Sequence, residues 1–165
     1  MSINEGFLIE IERETANTRR LISRIEDKHL DWTPHEKSMT VGRLVGHIVE
    51  LHNWVNKALR SKHFDLATDY LPFHPFSIAE ALDALDGNYE LNTEFVDSMT
   101  DEDWQKEWTI QFGDYVIGNM PKIAALRFVI YNHLIHHRGQ LSVYLRLLDI
   151  PVPGLYGPSA DDRQG

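Results

Sequence analysis

Residues 120–148 have the sequence MPKIAALRFVIYNHLIHHRGQLSVYLRLL, and the rest of the chain is organised around them. Apolar residues recur there every three or four positions, at Ile123, Leu126, Ile130, Leu134, Leu141, Leu145 and Leu148. This spacing is typical of one buried face of a helix. Pro121 suits the first helical position because its backbone angle φ already has a helical value. The stretch therefore predicts one long helix with a buried face.

Two histidines, His133 and His137, lie on or beside this apolar face. Because they are four residues apart, their side chains project from adjacent turns on the same side of the helix. A buried imidazole needs a partner, either a hydrogen-bonding neighbour or a metal ion. Gln140 falls on nearly the same stripe. Gly139 costs about 1 kcal/mol relative to Ala in a helix interior, so we expect another backbone or a ligand to come close to it.

A third histidine lies inside a second helical pattern. Thr40 can cap a helix to about residue 62, and its apolar face consists of Leu44, Ile48, Leu51, Val55 and Leu59. His47 lies within this stripe, so it can face the helix that carries the other two histidines. His52 is about 140° around the helix from His47, and we expect it at the surface or on a flank.

The remaining segments predict two more long helices, at residues 2–27 and from Ser77 to about Met99. Residues 61–76 are irregular and predict an ordered loop. The sequences WTIQF and YVI flank a Gly-Asp turn at 113–114 and predict a small hairpin. Four amphipathic helices predict an all-α fold, a four-helix bundle with a small irregular or hairpin insertion before the last helix. We expect one domain over residues 1–165.

Composition narrows the range of functions. The chain has 165 residues, a formal net charge of −9 and no cysteine. The acidic balance and the lack of a Lys/Arg cluster argue against a nucleic-acid partner. Without cysteine, the chain has neither a thiolate ligand nor a cysteine nucleophile. The start of the chain lacks the pattern of a signal peptide, and no apolar run approaches the roughly 18 residues of a membrane span. We therefore expect a cytoplasmic protein without a membrane partner.

Several segments together resemble the DinB/YfiT-like family of metal-dependent proteins. They are WTPHEKSMT at 32–40, TVGRLVGHIVE at 40–50, HLIHHRGQLSVYLRLL at 133–148 and VPGLYGPSAD at 152–161. The resemblance implies an up-down-down-up four-helix bundle, often dimeric, with one divalent metal, commonly nickel or zinc, held by three histidines. Matched motif to motif, the ligands are His47, His133 and His137. Characterised relatives are transferases or isomerases that use low-molecular-weight thiols, and many other members have no known activity.

Three neutral imidazoles leave at least one coordination position open, which is typical of catalytic metal sites. A bound divalent ion can activate water or stabilise a thiolate, and any thiolate here must come from a cosubstrate. The leading hypothesis is a metal-dependent transferase that joins a low-molecular-weight thiol to a small electrophile, with Gln140 orienting the substrate or a ligand. The alternatives are a metal-dependent hydrolase and a non-catalytic metal- or ligand-binding bundle. A homodimer is expected from the resemblance.

Three neighbours of the predicted ligands leave their roles open. Glu50 lies one turn from His47 and could be a carboxylate ligand or a base, although a solvated flank residue is the more common outcome. Arg138 could orient the substrate, but a surface ion pair is favoured. His136 points about 100° away from His137, so we expect a partly exposed residue.

Overall fold

The structure is a computed structural model that describes residues 2–163, and helices form most of it. In chain order, its helices and strands are α1 (Ile3–Ile22), α2 (Val41–Arg60), β1 (His63–Asp65), α3 (Ile78–Ser98), α4 (Asp101–Gln105), β2 (Glu107–Phe112), β3 (Tyr115–Pro121), α5 (Lys122–Ala125) and α6 (Asn132–Leu147). Helix α1 packs against α3, and α2 packs against both α3 and α6. Helix α2 is therefore the element with the most helical neighbours, and it is largely buried.

Side-chain caps determine where three of the long helices begin. The Ser2 hydroxyl accepts from the Glu5 amide while the Glu5 carboxylate accepts from the Ser2 amide, which is the predicted capping box of α1. The Thr40 hydroxyl caps α2 by accepting from the Arg43 amide, and the Ser77 hydroxyl caps α3 by accepting from the Glu80 amide, without the reciprocal bond of a capping box. These predicted starts are confirmed. Helix α1 ends at Ile22, earlier than the predicted residue 27.

A three-stranded sheet contradicts the predicted all-α four-helix bundle. The strand order is β1-β2-β3, with β2 antiparallel to β3 and β1 parallel to β2. The hairpin is confirmed, but it is longer than predicted. The strand β1 was missed because it lies in the segment predicted as a loop and pairs with residues far along the chain, His63 with Thr109. A pairing between such distant segments leaves no local periodicity to detect.

The sheet is anchored to the helices by its buried side chains. Trp108 of β2 is fully buried, and its indole Nε1 donates to the carbonyl oxygen of Ala58 in α2 at 2.9 Å. Phe64 of β1 and Ile110 of β2 are also buried in the core. The sheet thus belongs to the same core as the helices, and the fold is a mixed one.

The predicted last helix is interrupted. Pro121 ends β3 and precedes α5, so it is not the first helical residue. A π-helical stretch, Leu126–Tyr131, then joins α5 to α6. Such stretches are rare and are found mostly as single turns, frequently at functional sites. Here the π-helical stretch ends two residues before His133. Among residues 2–163, no helix is both long and apolar enough to cross a membrane.

Candidate metal centre

The structure brings the three predicted histidines together between α2 and α6. Each of His47, His133 and His137 offers one ring nitrogen, and these nitrogens lie within 4.8 Å of one another. The Nε2 atoms of His47 and His133 are 3.4 Å apart. The centroids of the three rings are separated by 4.6–5.0 Å. Three imidazoles therefore converge on one point from two helices.

The donor set fits a divalent transition metal. Nitrogen ligands lie about 2.0–2.1 Å from a tetrahedral zinc ion, so two of them are roughly 3.4 Å apart. The separation of Nε2 in His47 from Nε2 in His133 has this value. Neutral imidazole is a suitable ligand for zinc, nickel, copper and iron. The cluster is therefore compatible with metal binding, and its ligands do not discriminate among these ions.

Two of the rings are held from behind through their Nδ1 atoms. The Nδ1 atom of His47 lies 2.7 Å from Oε2 of Glu50, and Nδ1 of His137 lies 2.7 Å from Oε1 of Gln140. Each oxygen accepts a hydrogen bond, so each Nδ1 carries a proton, and in the neutral imidazole Nε2 then has the free lone pair. A metal ion binds to the ring nitrogen that has the free lone pair. Gln140 thus contacts a predicted ligand.

Glu50 itself is surrounded by donors. Arg43 donates to both carboxylate oxygens, at 3.0 and 3.2 Å, and the Tyr70 hydroxyl donates to Oε2 at 2.8 Å. The backbone amide of Phe73 donates to Oε1. Both carboxylate oxygens therefore accept hydrogen bonds. The carboxylate contacts Nδ1 of His47, on the side of the ring away from the Nε2 atom that faces His133. Glu50 is placed to orient His47, and it lies outside the group of converging ligand atoms.

Burial favours the neutral form of His133 and His137. Desolvation, together with the nearby rings of His137, His47 and His136, lowers the pKa of His133 to about 4. Desolvation also lowers the pKa of His137. For the Glu50 carboxyl, burial alone would raise the pKa, but hydrogen bonds from His47, the Phe73 amide, Tyr70 and Arg43 lower it. At neutral pH, His133 and His137 therefore offer uncharged imidazole donors, and the Glu50 carboxylate beside His47 is ionised.

Aromatic side chains and a small cavity adjoin the centre. The ring of Trp54 lies 6.4 Å from that of His133 and 5.9 Å from that of Tyr70, measured between centroids. A cavity of about 200 Å³ opens between α2, α3 and the loop at residues 66–76. Glu50, Trp54 and Tyr70 line it. The cavity and the histidine cluster therefore share a wall.

The burial of the other residues near the predicted ligands agrees only in part with the sequence-based prediction. His52 is buried, and its Nε2 lies 2.9 Å from the Thr18 hydroxyl of α1, so the predicted surface position is wrong. Arg138 forms the predicted ion pair with an acidic residue, Glu14, but the pair is buried and not at the surface. His136 is exposed, in agreement with the prediction.

Sequence reasoning named Glu50 and Gln140 beside the ligands but missed the residues that surround Glu50 and line the cavity. Arg43 lies two turns before Glu50 on the same helix, and this spacing of opposite charges was a signal that could have been used. Tyr70, Trp54 and the Phe73 amide could not have been found in this way. The two loop residues reach Glu50 through the tertiary fold, and an aromatic residue on a helix is usually part of the core.

The fold and the site define a helical protein with a three-histidine centre and a small sheet on one side. The profile of the DinB family matches residues 1–164, and this chain belongs to the DinB family. The resemblance found in the sequence is thereby confirmed. The protein YrdA of Bacillus subtilis strain 168, described as uncharacterized, is 27% identical over 159 residues, which cover 96% of this chain and 90% of YrdA.

Solved structures show the same fold. A DinB-like protein from Bacillus cereus ATCC 10987 matches with a TM-score of 0.69 and 29% identity, over 92% of this chain and 97% of that one. The DinB-like protein YjoA from Bacillus subtilis matches with a TM-score of 0.70 at 18% identity, over 91% of this chain and 96% of that one. At this identity the second match concerns the fold alone.

Proposed function

We propose that this protein binds one divalent transition metal ion, nickel or zinc, through His47, His133 and His137, and uses it to transfer a low-molecular-weight thiol to a small electrophile. The observation that supports the proposal is the convergence of three imidazole nitrogens within 4.8 Å. Three protein ligands leave at least one coordination position open. When bound, the metal would lower the pKa of a thiol or a water molecule in that position.

The chain's own residues would prepare the ligands and the substrates. Glu50 and Gln140 orient the rings of His47 and His137, so that less reorganisation is needed on binding. Burial keeps the ligand nitrogens of His133 and His137 unprotonated. Trp54 and Tyr70 provide an apolar wall against which a small organic substrate could pack. Such a wall excludes water and strengthens polar interactions at the centre.

The thiol must come from outside the chain, because the sequence has no cysteine. In the proposed reaction the thiol loses its proton to solvent, and its sulfur forms a bond to an electrophilic carbon. The leaving group departs from that carbon with the bonding electron pair. A reducing cytoplasm is where such a thiol cosubstrate stays reduced, and we place the protein there in this proposal.

Metal content tests the first half of the proposal. Protein without an affinity tag, purified without metal columns or chelators, is analysed by mass spectrometry before and after reconstitution with zinc or nickel. We expect about one equivalent in the wild type and a loss of it in His47→Ala, His133→Ala and His137→Ala. His136→Ala is the matched control, since this exposed histidine neighbours a ligand. Absence of metal from the reconstituted wild type would overturn the proposal.

Cobalt substitution tests the thiol. A thiolate that enters the open position adds a sulfur-to-metal charge-transfer band to the cobalt(II) spectrum, whereas a diol of matching shape adds none. We expect 2-mercaptoethanol to produce the band in the wild type, with the cobalt retained after the thiol is removed. A spectrum unchanged by thiol, in protein that carries one cobalt, would overturn the transferase and leave the metal site standing.

We also propose a homodimer in which the outer face of α6 meets a second copy. Ile135 and Val143 are 38% and 56% exposed on that face, and Phe128 extends it in the π-helical stretch. Gly139 lies between them, and apart from its chain neighbours and the adjacent backbone of α6, no described atom comes within 4 Å of the position a Cβ would take there. The close approach predicted for Gly139 is thus not made within residues 2–163. A second helix could make it.

A further inference from the structure

We infer that Glu50 is a positioning residue of the metal centre and that it also fastens the loop at residues 66–76 beside that centre. The inference deepens the proposed function, because it concerns how the same site is held ready for metal. It goes beyond that proposal by linking the ligand geometry to a loop that contributes no ligand.

The first step concerns the tautomer of His47. An ionised carboxylate can only accept hydrogen bonds, so the contact of 2.7 Å between Glu50 Oε2 and Nδ1 requires the proton to be on Nδ1. The bidentate approach of Arg43 keeps the carboxylate in its ionised form. In the neutral ring the lone pair of His47 is therefore on Nε2, which faces Nε2 of His133 at 3.4 Å. Glu50 fixes both which nitrogen is available and where it points.

The second step concerns the loop. Its Tyr70 hydroxyl donates to Oε2 of Glu50, and its Phe73 amide donates to Oε1. Arg43 also donates to the Tyr70 hydroxyl, so the three side chains form a closed hydrogen-bonded set. Glu50 is buried, and breaking one of these bonds would leave a polar group without a partner. One carboxylate therefore holds a ligand on one side and the loop on the other.

The third step concerns what the loop covers. Tyr70 and Phe73 line the cavity of about 200 Å³, and Glu50 and Trp54 form its boundary toward the histidines. A loop released from Glu50 would open this cavity. At the same time the ring of His47 would lose the partner that sets its orientation. Metal affinity and loop order should therefore change together when Glu50 is altered.

The test uses the full chain with three variants. Glu50→Gln keeps the shape of the side chain and removes its charge, and Tyr70→Phe removes one donor while leaving Glu50 in place. Glu90→Gln makes the same change as the first at an exposed position of α3 and is the matched control. Zinc affinity is measured by chelator competition. The tautomer of His47 is measured in the metal-free protein from its ¹⁵N ring shifts, and the loop is monitored by amide exchange at Phe73.

We expect Glu50→Gln to weaken zinc binding about 10- to 100-fold, the range that is typical of residues that orient metal-binding histidines. The Gln side chain has only one acceptor oxygen for the Nδ1–H of His47 and the Phe73 amide together, so the Nδ1–H share of His47 should fall and the Phe73 amide should exchange faster. Tyr70→Phe should change all three readouts in the same direction by a smaller factor, and Glu90→Gln should change none. If Glu50→Gln fails to fold, Tyr70→Phe decides the question.

Two results would overturn the inference. One is wild-type zinc affinity in Glu50→Gln, and the other is an Nε2–H tautomer of His47 in the wild type. These outcomes are distinct from a failure of the proposed function. If the wild type took up no zinc, the metal proposal would fail. The ¹⁵N shifts and the exchange at Phe73 would then decide the role of Glu50 without any metal.

Discussion

His47 and His52 lie on the same helix, and their surroundings give them different chemistry. His47 faces two other histidines and is held by Glu50. His52 faces α1, where the Thr18 hydroxyl lies 2.9 Å from its Nε2 and the Arg138 guanidinium lies in the same buried cluster. Desolvation, with a smaller contribution from the Arg138 charge, lowers the pKa of His52 to about 3. His52 is therefore a neutral core residue at neutral pH.

The lowered pKa of His52 predicts acid sensitivity. An unfolded histidine has a pKa of about 6.5, so below that pH the unfolded chain binds a proton that the folded chain excludes. The free energy of unfolding should therefore fall as the pH drops from about 6.5 toward 3, by up to about 1.4 kcal/mol per pH unit for this one proton. Between pH 7.5 and pH 5 the loss attributable to His52 is about 2 kcal/mol.

Urea unfolding of metal-free protein at pH 7.5 and pH 5 measures this loss. His52→Gln removes the titrating group and keeps a polar atom for Thr18, so its stability should depend less steeply on pH. His35→Gln, at an exposed position, should behave as the wild type does. His133, with its pKa lowered to about 4 by burial, contributes in the same direction to both variants. An unchanged slope in His52→Gln would contradict the prediction.

At the residue scale, periodicity predicted which histidines converge but not which residues are exposed. Positions His47, His133 and His137 follow from helical phase, because a stripe of apolar residues shows which side of each helix is buried. The burial of His52 could not be predicted from helical phase, since α2 packs against several helices and buries 15 of its 20 residues. On such a helix, a position 140° from the main stripe is still inside the protein. Arg138 was misplaced because α6 also contacts α1, where the Arg138 guanidinium is buried against Glu14.

At the scale of elements, Gly46 determines how the loop approaches α2. A Cβ at this position would lie 2.1 Å from the carbonyl oxygen of Phe73, which is far inside contact distance. The glycine therefore allows the loop to lie directly on the helix, one residue before His47. This close approach brings the Phe73 amide within reach of Glu50. The signal was present in the sequence as a glycine in a helix interior, but its neighbour could not be predicted.

We expect Gly46→Ala to destabilise the protein by about 1–3 kcal/mol, because a backbone atom must move to make room. Gly87→Ala is the matched control. Gly87 also lies within a helix, and no described atom outside its chain neighbours and the adjacent backbone of α3 lies within 4 Å of an added Cβ. The substitution should therefore stabilise the protein by about 0.5–1 kcal/mol. Chemical denaturation measures both. Equal effects of the two substitutions would show that the loop does not rest on Gly46.

The sheet shows how far local patterns predict elements. The hairpin of β2 and β3 was detectable because its turn and its alternating residues are adjacent in sequence. The strand β1 has three residues and depends on β2 for its hydrogen bonds, so its own sequence contains little evidence of it. The resulting mixed sheet changes the fold class even though the predicted long helices are present. Short elements defined by distant partners are where the sequence-based prediction failed.

At the scale of the whole molecule, the outer face of α6 exposes apolar side chains that the single chain does not bury. Ile135 and Val143 flank Gly139 on the outer face of α6, opposite the side that carries His133 and His137. Apolar residues around a helical glycine suit close packing with a second helix, and a two-fold dimer would place the same face on both subunits. Because the histidines lie on the inner side of α6, dimer formation and metal binding should be separable.

We therefore predict that the wild type has twice the mass of the single chain in solution and that Val143→Glu is monomeric. The substitution places a charge in the centre of the proposed interface, at a side chain that is 56% exposed in the single chain, so the fold should tolerate it. Leu91→Glu is the matched control, since Leu91 is a 46% exposed apolar residue on α3.

Light scattering after size exclusion measures the mass, and metal content is measured on the same fractions. A dimer that survives Val143→Glu and dissociates in Leu91→Glu would place the interface on α3, and a monomeric wild type would rule the dimer out. Val143→Glu protein that is monomeric and still binds one equivalent of metal would show that each centre is complete within one chain.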